Sequence, residues 1–384
     1  MIIGNFIKQI ELKYKNHYFS GMCFNSEKCK KDNIFFAIKG TKINGNKFIN
    51  NAIQNGAKTI ISNLKFEGIK NNILFIRSEN VRKLLSEIAY SVFKDKPKNL
   101  IAVTGTNGKS SVADFYYQIL KLNKKRVASI GTLGIKTQNY LKKVSNTTID
   151  PITLSIALNV LKKERIDNVI LEASSHGLKQ NRLDGLEFKI GIFTNFSHDH
   201  LDYHKTHSEY LKSKLYLFNK LLKKNSNIIT DKNIAQYKKI KEIALKNKLT
   251  IETISSKNSN LEIISHKYHN DKQIVEIKYN KKIYKFETKL IGKIQIKNIL
   301  MAMIAATKSN LSFKKIINTI EDLKPVNGRL EQIGNIRNNS KVILDYAHTP
   351  DALEASLNSL KGQFKNKKIS IVFGCGGDLS LIHI

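Results

Sequence analysis

The stretch VTGTNGKSS, residues 103–111, has the residue types of a phosphate-binding loop. Gly105 and Gly108 let backbone N–H groups approach an anion. Lys109 can reach β- and γ-phosphates, and the Ser110 hydroxyl is a hard oxygen ligand for Mg²⁺. The common pattern G-x-x-x-x-G-K-[ST] is only half present, because Val103 stands where its first glycine belongs. Taken alone, the stretch is either a nucleotide loop of another kind or a plain turn with a chance lysine. Glu172 ends the apolar run NVILE, so its carboxylate is either a metal ligand at a strand end or an ordinary surface acid. The segment TNFSHDHLDYHKTH, residues 194–207, gathers His198, Asp199, His200, Asp202, His204 and His207. Its H-x-H-x-x-x-H spacing allows zinc, and a solvated polar loop explains it equally.

These groups need elements to hold them. NLIAVT (99–104) reads as a buried strand. SSVADFYYQILKLN (110–123) follows as a helix with Val112, Phe115, Tyr116, Ile119 and Leu120 on one face. Strand, glycine-rich turn and amphipathic helix are the setting a phosphate loop requires, with the helix dipole adding to the attraction. NVILEASS (168–175) and IGIFTNFS (190–197) are further apolar strands, so a mostly parallel sheet covered on both faces is expected. Before Pro97, strands at NIFFAI, KTIIS and NILFI alternate with helices at 46–57 and 81–94. QIVEIKY and KIYKFETKL, around NKK, predict a β-hairpin. After residue 325, KVILDYA, PDALEASLNSLK and KISIVFG predict one βαβ unit.

Composition narrows the class. The chain has 384 residues and a formal net charge of +34, which invites a nucleic-acid reading. Only seven of its 65 basic residues are arginine, and the lysines are scattered. A selected nucleic-acid surface uses arginine for bidentate contacts, so a solvated lysine surface is expected instead. Any DNA binding should therefore be weak, sequence-blind and steeply salt-dependent; a tight, sequence-preferring complex at physiological salt would overturn this. No apolar run has the length of a membrane span, and the N-terminus lacks the order of a signal peptide. Cys23, Cys29 and Cys375 show no metal-site spacing and read as free thiols of a reducing cytosol.

The segments VTGTNGKSS, NTTIDP, LEASSHGLKQNR, TNFSHDHLDYH, YLKSKLYLF, NGRLEQI and LDYAHTPDAL occur in that order. Together they resemble the Mur ligases, ATP-dependent amide ligases of peptidoglycan synthesis, over nearly the whole chain. The family loop is G-T-x-G-K-[ST], which accounts for the missing first glycine. The resemblance implies a three-domain α/β architecture: a UDP-sugar-binding domain at 1–97, a central ATP-binding domain with a P-loop-type parallel sheet at 98–327, and an incomplete Rossmann-like domain at 328–384. EASSHGL, DHLDYH and DYAHTPDAL point to the member that adds the third residue of the stem peptide, through an acyl phosphate.

Roles follow by position, as the resemblance implies them. Gly105, Thr106, Asn107, Gly108, Lys109, Ser110 and Ser111 would hold the ATP triphosphate, with Asn298, Arg329 and Asp345 as further ATP contacts. Ser110, Glu172 and His200 would ligate Mg²⁺, together with Lys214 as a carbamate; Lys109, Lys214, Glu172 and His200 form the catalytic set. Ser26, Thr41, Lys42, Ile43, Asn146, Thr147, Thr148, Ser174, Gln180 and Arg182 would bind UDP-N-acetylmuramoyl-dipeptide. His348 would sit where the third domain closes, or simply cap a strand–helix turn. The partners implied are this UDP-sugar and a diamino acid, for a cytoplasmic monomer that engages no membrane and no nucleic acid; these residues do not distinguish meso-diaminopimelate from L-lysine, and the former is expected as the commoner choice among Gram-negative bacteria.

The C-terminus departs from the family. After VFGCGGD the chain closes with LSLIHI, residues 379–384, six residues that CTGTCTCTTATACACATC would encode, resembling a transposon-end adapter. A truncated third domain is expected, with binding of the UDP-dipeptide but no tripeptide product, and restoration by a complete domain. Folylpolyglutamate synthetase, a basic nucleic-acid binder and a fragment that binds without turnover are the competing readings.

Overall fold

The computed structural model describes residues 1–7, 10–40, 43–269, 271–337 and 340–374. They divide into two compact units. The first comprises Met1–Lys96, Ile149–Glu164 and His176–Leu186. Its sheet contains β1 (Gly21–Cys23), β2 (Asn33–Phe36), β3 (Ala57–Ser62), β4 (Gly68–Lys70) and β5 (Ile73–Arg77), in the order β1-β2-β3-β5-β4. All pairings are parallel except β4 with β5. Strand alternation assigns the two faces. Ile34, Phe36, Ile61, Leu74 and Ile76 enter one core, against Val81, Leu85 and Ile88 of the helix Val81–Val92. Phe35, Ala37, Ile60 and Ile73 enter another on the opposite face. The helix Pro151–Lys163 starts where the residues dictate: Asp150 Oδ1 accepts from Thr153 N at 2.9 Å, and Pro151 occupies the first turn.

One expectation fails in this unit. Cys23 and Cys29 are not free thiols; they form a disulfide with Cα atoms 5.6 Å apart. The short 3₁₀ turn Ser26–Lys28 reverses the chain just after β1 and returns Cys29 beside Cys23, which spacing in the sequence alone did not reveal.

The second unit comprises Pro97–Thr148, Arg165–Ser175 and Glu187–Ile384. Its large sheet begins with β6 (Asn99–Thr104), β7 (Val127–Gly131), β8 (Gly134–Lys136), β9 (Leu141–Lys142), β10 (Asn168–Glu172) and β11 (Phe188–Phe193). It continues with β12 (Leu222–Asp231), β13 (Thr250–Ser255), β14 (Leu261–His269), β15 (Lys272–Tyr279) and β16 (Lys282–Thr288). The strand order is β16-β15-β14-β13-β12-β11-β6-β10-β7-β8-β9. From β7 to β13 the pairings are parallel, as the apolar strands alternating with helices predicted. The phosphate-loop strand β6 lies at the centre, between β11 and β10. The predicted hairpin is β15–β16, turning through Asn280 and Lys281, both with positive φ as a tight two-residue turn requires.

The helices Lys109–Leu122 and Lys293–Thr307 share one core, to which Phe115, Tyr116, Ile119, Ile299, Met303 and Ala306 contribute. Toward the C-terminus, β17 (Glu331–Ile336) pairs antiparallel with β18 (Ser340–Leu344), followed by the helix Pro350–Gln363. That helix is anchored at its end: Gln363 accepts from Gly292 N at 2.9 Å and donates to Asp271 O at 3.0 Å. The βαβ expectation is corrected here. KISIVFG pairs with nothing among its described residues, and Ile371, Val372 and Phe373 are exposed. Apolar alternation marks a strand only where a neighbour supplies the hydrogen-bond ladder. Among the described residues no helix is long and apolar enough to cross a membrane.

Candidate active site

The loop Gly105–Gly108 joins the centre of the sheet to the N-terminus of the helix Lys109–Leu122. Both glycines are required there. Gly105 has φ +146°, and a Cβ on it would meet Thr194 Oγ1 at 1.9 Å. Gly108 has φ +84°, and a Cβ would meet Asn298 Oδ1 at 2.6 Å. The second contact also places Asn298, distant in sequence, against the loop. Side chains from the end of β11 brace the loop from beneath: Asn107 N donates to Asn195 Oδ1 at 2.9 Å, and Thr194 Oγ1 donates to Asn107 O at 2.6 Å.

Lys109 folds back over the loop, its Nζ 3.0 Å from Gly105 O and 2.8 Å from Thr106 O. The residue is half-buried. Burial lowers its pKa, the positive Arg329 adds to that, and Glu172 and Asp199 oppose it. On the other side Ser110 Oγ donates to Glu172 Oε2 at 3.0 Å. Glu172 is 2% exposed, and Thr132 holds it by its backbone N–H at 2.9 Å and its hydroxyl at 3.3 Å. Burial raises the Glu172 pKa; Lys109, the Thr132 N–H, Ser110 and Arg329 pull it back.

Gly131 is the cradle for that carboxylate, since a Cβ there would meet Glu172 Oε1 at 2.1 Å. Gly131→Ala should therefore displace the acid and destabilise the fold by about 1–3 kcal/mol. Mg²⁺-dependent nucleotide affinity should fall further than metal-free affinity. Calorimetry with and without Mg²⁺ reads this, and an equal loss in both would contradict the cradle. A hydroxyl beside a buried carboxylate is a hard oxygen donor set, which fits Mg²⁺.

Lys214 is 1% exposed and lies within the helix His207–Tyr216. Its Nζ donates to Gly105 O at 2.7 Å and sits 4.3 Å from the centre of the Tyr210 ring. Burial holds its pKa well below the usual lysine range, and the Lys109 charge pushes in the same direction. His200, with φ +53°, faces Asp199, Nε2 to Oδ2 3.4 Å, and meets Tyr210 edge-on. Burial lowers its pKa, Asp199 opposes this, and Lys109 and Lys214 add to the lowering. Lys109 is thus the common electrostatic neighbour of Glu172, His200 and Lys214.

The zinc reading of 194–207 is not supported by the geometry. The His198 and His207 rings contact each other, whereas the buried His204 lies 3.4 Å from Ser213 Oγ and packs on Tyr210. Among the described residues, no group of three or more His, Cys, Asp or Glu could hold a metal ion.

The other predicted residues fall in several places. Thr148 Oγ1 lies 2.8 Å from Glu172 O and 3.0 Å from Ser174 Oγ, and Thr147 Oγ1 lies 3.0 Å from Thr132 Oγ1. These threonines and Ser174 therefore border the Glu172 end of the site. Asn146 is 3.2 Å from Ser145 Oγ. Arg329 stacks on Tyr346, guanidinium carbon 4.5 Å from the ring centre, and its charge is felt at Lys109 and Glu172. Asp345 accepts from Leu330 N at 3.2 Å and Ser356 Oγ at 2.5 Å, so both oxygens brace its own neighbourhood. His348 Nδ1 is 2.9 Å from Tyr346 O. In the first unit, Gln180 Oε1 accepts from Arg182 at 2.8 Å and Arg82 at 3.3 Å. Ser26 is buried in its turn and Ile43 is exposed. Thr41, Lys42 and residues 379–384 lie outside the described residues.

Four residues at the site escaped sequence reasoning: Gly131, Thr132, Thr194 and Tyr210. Tyr210 had a signal, because it precedes Lys214 by four residues and must share its helix face. A cavity of about 710 Å³ opens beside the loop, lined by Asn195, Asp231, Ser255, His266, Lys297 and Asn298 among others. It lies at the carboxyl ends of β11, β12 and β13, where parallel sheets bind ligands.

Sheet, loop, buried acid and buried lysine together define a nucleotide-dependent α/β enzyme. Three domain families match in register with these parts: the Mur ligase family catalytic domain over 18–93, the Mur ligase middle domain over 103–306, and the Mur ligase glutamate ligase domain over 328–381. The chain belongs to the Mur ligase family. It is 38% identical over 370 residues to the UDP-N-acetylmuramoyl-L-alanyl-D-glutamate–2,6-diaminopimelate ligase of Rickettsia prowazekii, covering 95% of this chain and 76% of that one. To the enzyme of the same name from Buchnera aphidicola it is 37% identical, over 94% of this chain and 74% of that one. A solved structure of a ligase of that name superposes with a TM-score of 0.82 at 28% identity, covering 99% of this chain and 78% of the other.

Proposed function

We propose that this chain is an ATP-dependent amide ligase that adds meso-diaminopimelate to the D-glutamyl γ-carboxylate of UDP-N-acetylmuramoyl-L-alanyl-D-glutamate. The relatives named for that reaction support the substrate pair, and diaminopimelate is favoured over L-lysine because their names specify it. The observation that carries the reading is the convergence on one loop of Lys109, the Ser110–Glu172 pair and the buried Lys214.

In this reading the amides of Gly105–Ser111 and Lys109 hold the triphosphate, Asn298 and the cavity beside it take the nucleoside, and Arg329 adds positive charge. Asp345 adds its contact as the third domain closes. Ser110, Glu172 and neutral His200 would hold Mg²⁺, which supplies charge neutralisation to the phosphates. Burial lowers the Lys214 pKa and so favours its neutral amine, which would add CO₂ at Nζ and lose a proton to give a carbamate anion, an oxygen donor suited to a metal where an ammonium would repel it. Thr147, Thr148, Ser174, Gln180 and Arg182 bind the UDP-N-acetylmuramoyl-dipeptide, with Asn146 close to the nucleotide and Ser26, Thr41, Lys42 and Ile43 at the uridine end. The γ-carboxylate attacks the γ-phosphorus and ADP leaves. The amine then attacks the acyl carbon, phosphate leaves, and the amine gives up a proton. The residues contribute alignment of two anions and neutralisation of their charge.

The same reading divides the chain at 1–97, 98–327 and 328–384, and places it as a monomer in the cytoplasm. Calorimetry tests it against a folate-using ligase. UDP-N-acetylmuramoyl-dipeptide should bind alongside Mg·ATP, and a folate should neither bind nor compete. Folate binding with no binding of the UDP-dipeptide would overturn the proposal.

A further inference from the structure

The disulfide between Cys23 and Cys29 lies at a place where it can matter. It closes a loop of few residues, and the only turn inside that loop is Ser26–Lys28, which carries Ser26. Besides the disulfide, hydrogen bonds hold the turn: within it, Lys28 N donates to Asn25 O at 3.1 Å and Cys29 N to Ser26 O at 3.2 Å. Asn25 Oδ1 accepts from Glu27 N at 3.0 Å, and Asn55 Nδ2 donates to Ser26 O at 3.0 Å. Phe24, Asn25, Glu27 and Lys28 are exposed, while both sulfurs are buried in the core with Phe35, Ala52 and Ile60. Cysteine packs as a small hydrophobe, so this core accepts the pair as thiols as well as a disulfide. Disulfides in reducing compartments are chiefly transient ones that respond to redox state.

We propose that Cys23–Cys29 is a reversible thiol–disulfide modification site that sets the order of the Ser26 turn, and through it the affinity for the uridine end of the substrate. The inference rests on the assignment of Ser26 to that end. The reductant is a dithiol of the thioredoxin class. One of its thiolates attacks a protein sulfur, the Cys23–Cys29 bond breaks, and a mixed disulfide forms. Its second thiol displaces that bond. The protein gains two electrons and two protons, and the dithiol becomes a disulfide. The oxidised form has the turn tethered at both ends; the reduced form keeps the hydrogen bonds without the tether and must complete its ordering on binding, which costs affinity.

Three readouts on the chain as it exists test this. Alkylation under denaturing conditions without reductant should label one cysteine, Cys375, of the three, and all three after dithiothreitol. Hydrogen exchange at residues 24–28 should quicken on reduction. Affinity for UDP-N-acetylmuramoyl-dipeptide should fall by about three- to tenfold on reduction while Mg·ATP affinity is unchanged. The doubly substituted Cys23→Ser, Cys29→Ser chain should match the reduced protein and ignore dithiothreitol. Labelling of all three cysteines without reductant, or equal exchange in the two states, would overturn the site. Faster exchange with unchanged UDP-dipeptide affinity would overturn its link to the substrate. If the oxidised chain binds no UDP-dipeptide at all, the Ser26 assignment fails, while alkylation and exchange still decide the pair.

Discussion

Lys109→Ala should weaken Mg·ATP binding by about 100- to 1000-fold, the scale of losing a charged donor aimed at a phosphoryl group in a partly buried site. The lysine is replaceable as far as the fold is concerned. Among the described residues its ammonium bonds Gly105 O and Thr106 O alone, and the loop keeps its bracing from Asn195 and Thr194. Thermal stability should therefore be nearly unchanged, while affinity for UDP-N-acetylmuramoyl-dipeptide persists. Calorimetry with Mg·ATP and a melting curve read both, and unchanged ATP affinity would remove the loop from the site.

Lys214→Ala should reduce phosphoryl transfer to the substrate carboxylate by at least about 100-fold, because in the proposed mechanism it removes the side chain that would become the additional oxygen ligand. Short carboxylic acids such as acetate should restore part of the rate by entering the space the side chain leaves. Lys214→Arg should not, since guanidinium stays charged and forms no carbamate. Full activity in the alanine variant would reduce Lys214 to a buried lysine that merely ties its helix to Gly105 O. Rescue by acetate is the sharper result, because loss of packing alone would not respond to a carboxylate.

Both residues show what the sequence could and could not disclose. Lys109 was legible because its strand–glycine–helix setting is local, and hydrophobic periodicity marks both flanking elements. The parallel sheet and the β15–β16 hairpin were legible for the same reason. Lys214 had no such local signal; among so many lysines only its place in a family motif singled it out, and its burial shows why it is different. Glu172 was placed correctly at a strand end, but Gly131 and Thr132, which hold its carboxylate, come from the neighbouring strand, and pairing of distant strands is not written in local periodicity. The cysteine pair was misread because closure depended on a 3₁₀ turn too short to leave a periodic signature. KISIVFG was misread in the opposite sense: it has the composition of a strand without a partner among the described residues.

If this loop delivers a phosphoryl group to a carboxylate, the acyl phosphate can be trapped chemically. The chain is mixed with UDP-N-acetylmuramoyl-L-alanyl-D-glutamate and Mg·ATP without amine, then reduced with borohydride, which converts an acyl phosphate but not a carboxylate to the alcohol. Mass spectrometry should show the alcohol at the D-glutamyl side chain, dependent on Mg²⁺ and absent in Lys109→Ala. No alcohol with both substrates bound at saturation, or an equal yield from Lys109→Ala, would contradict it.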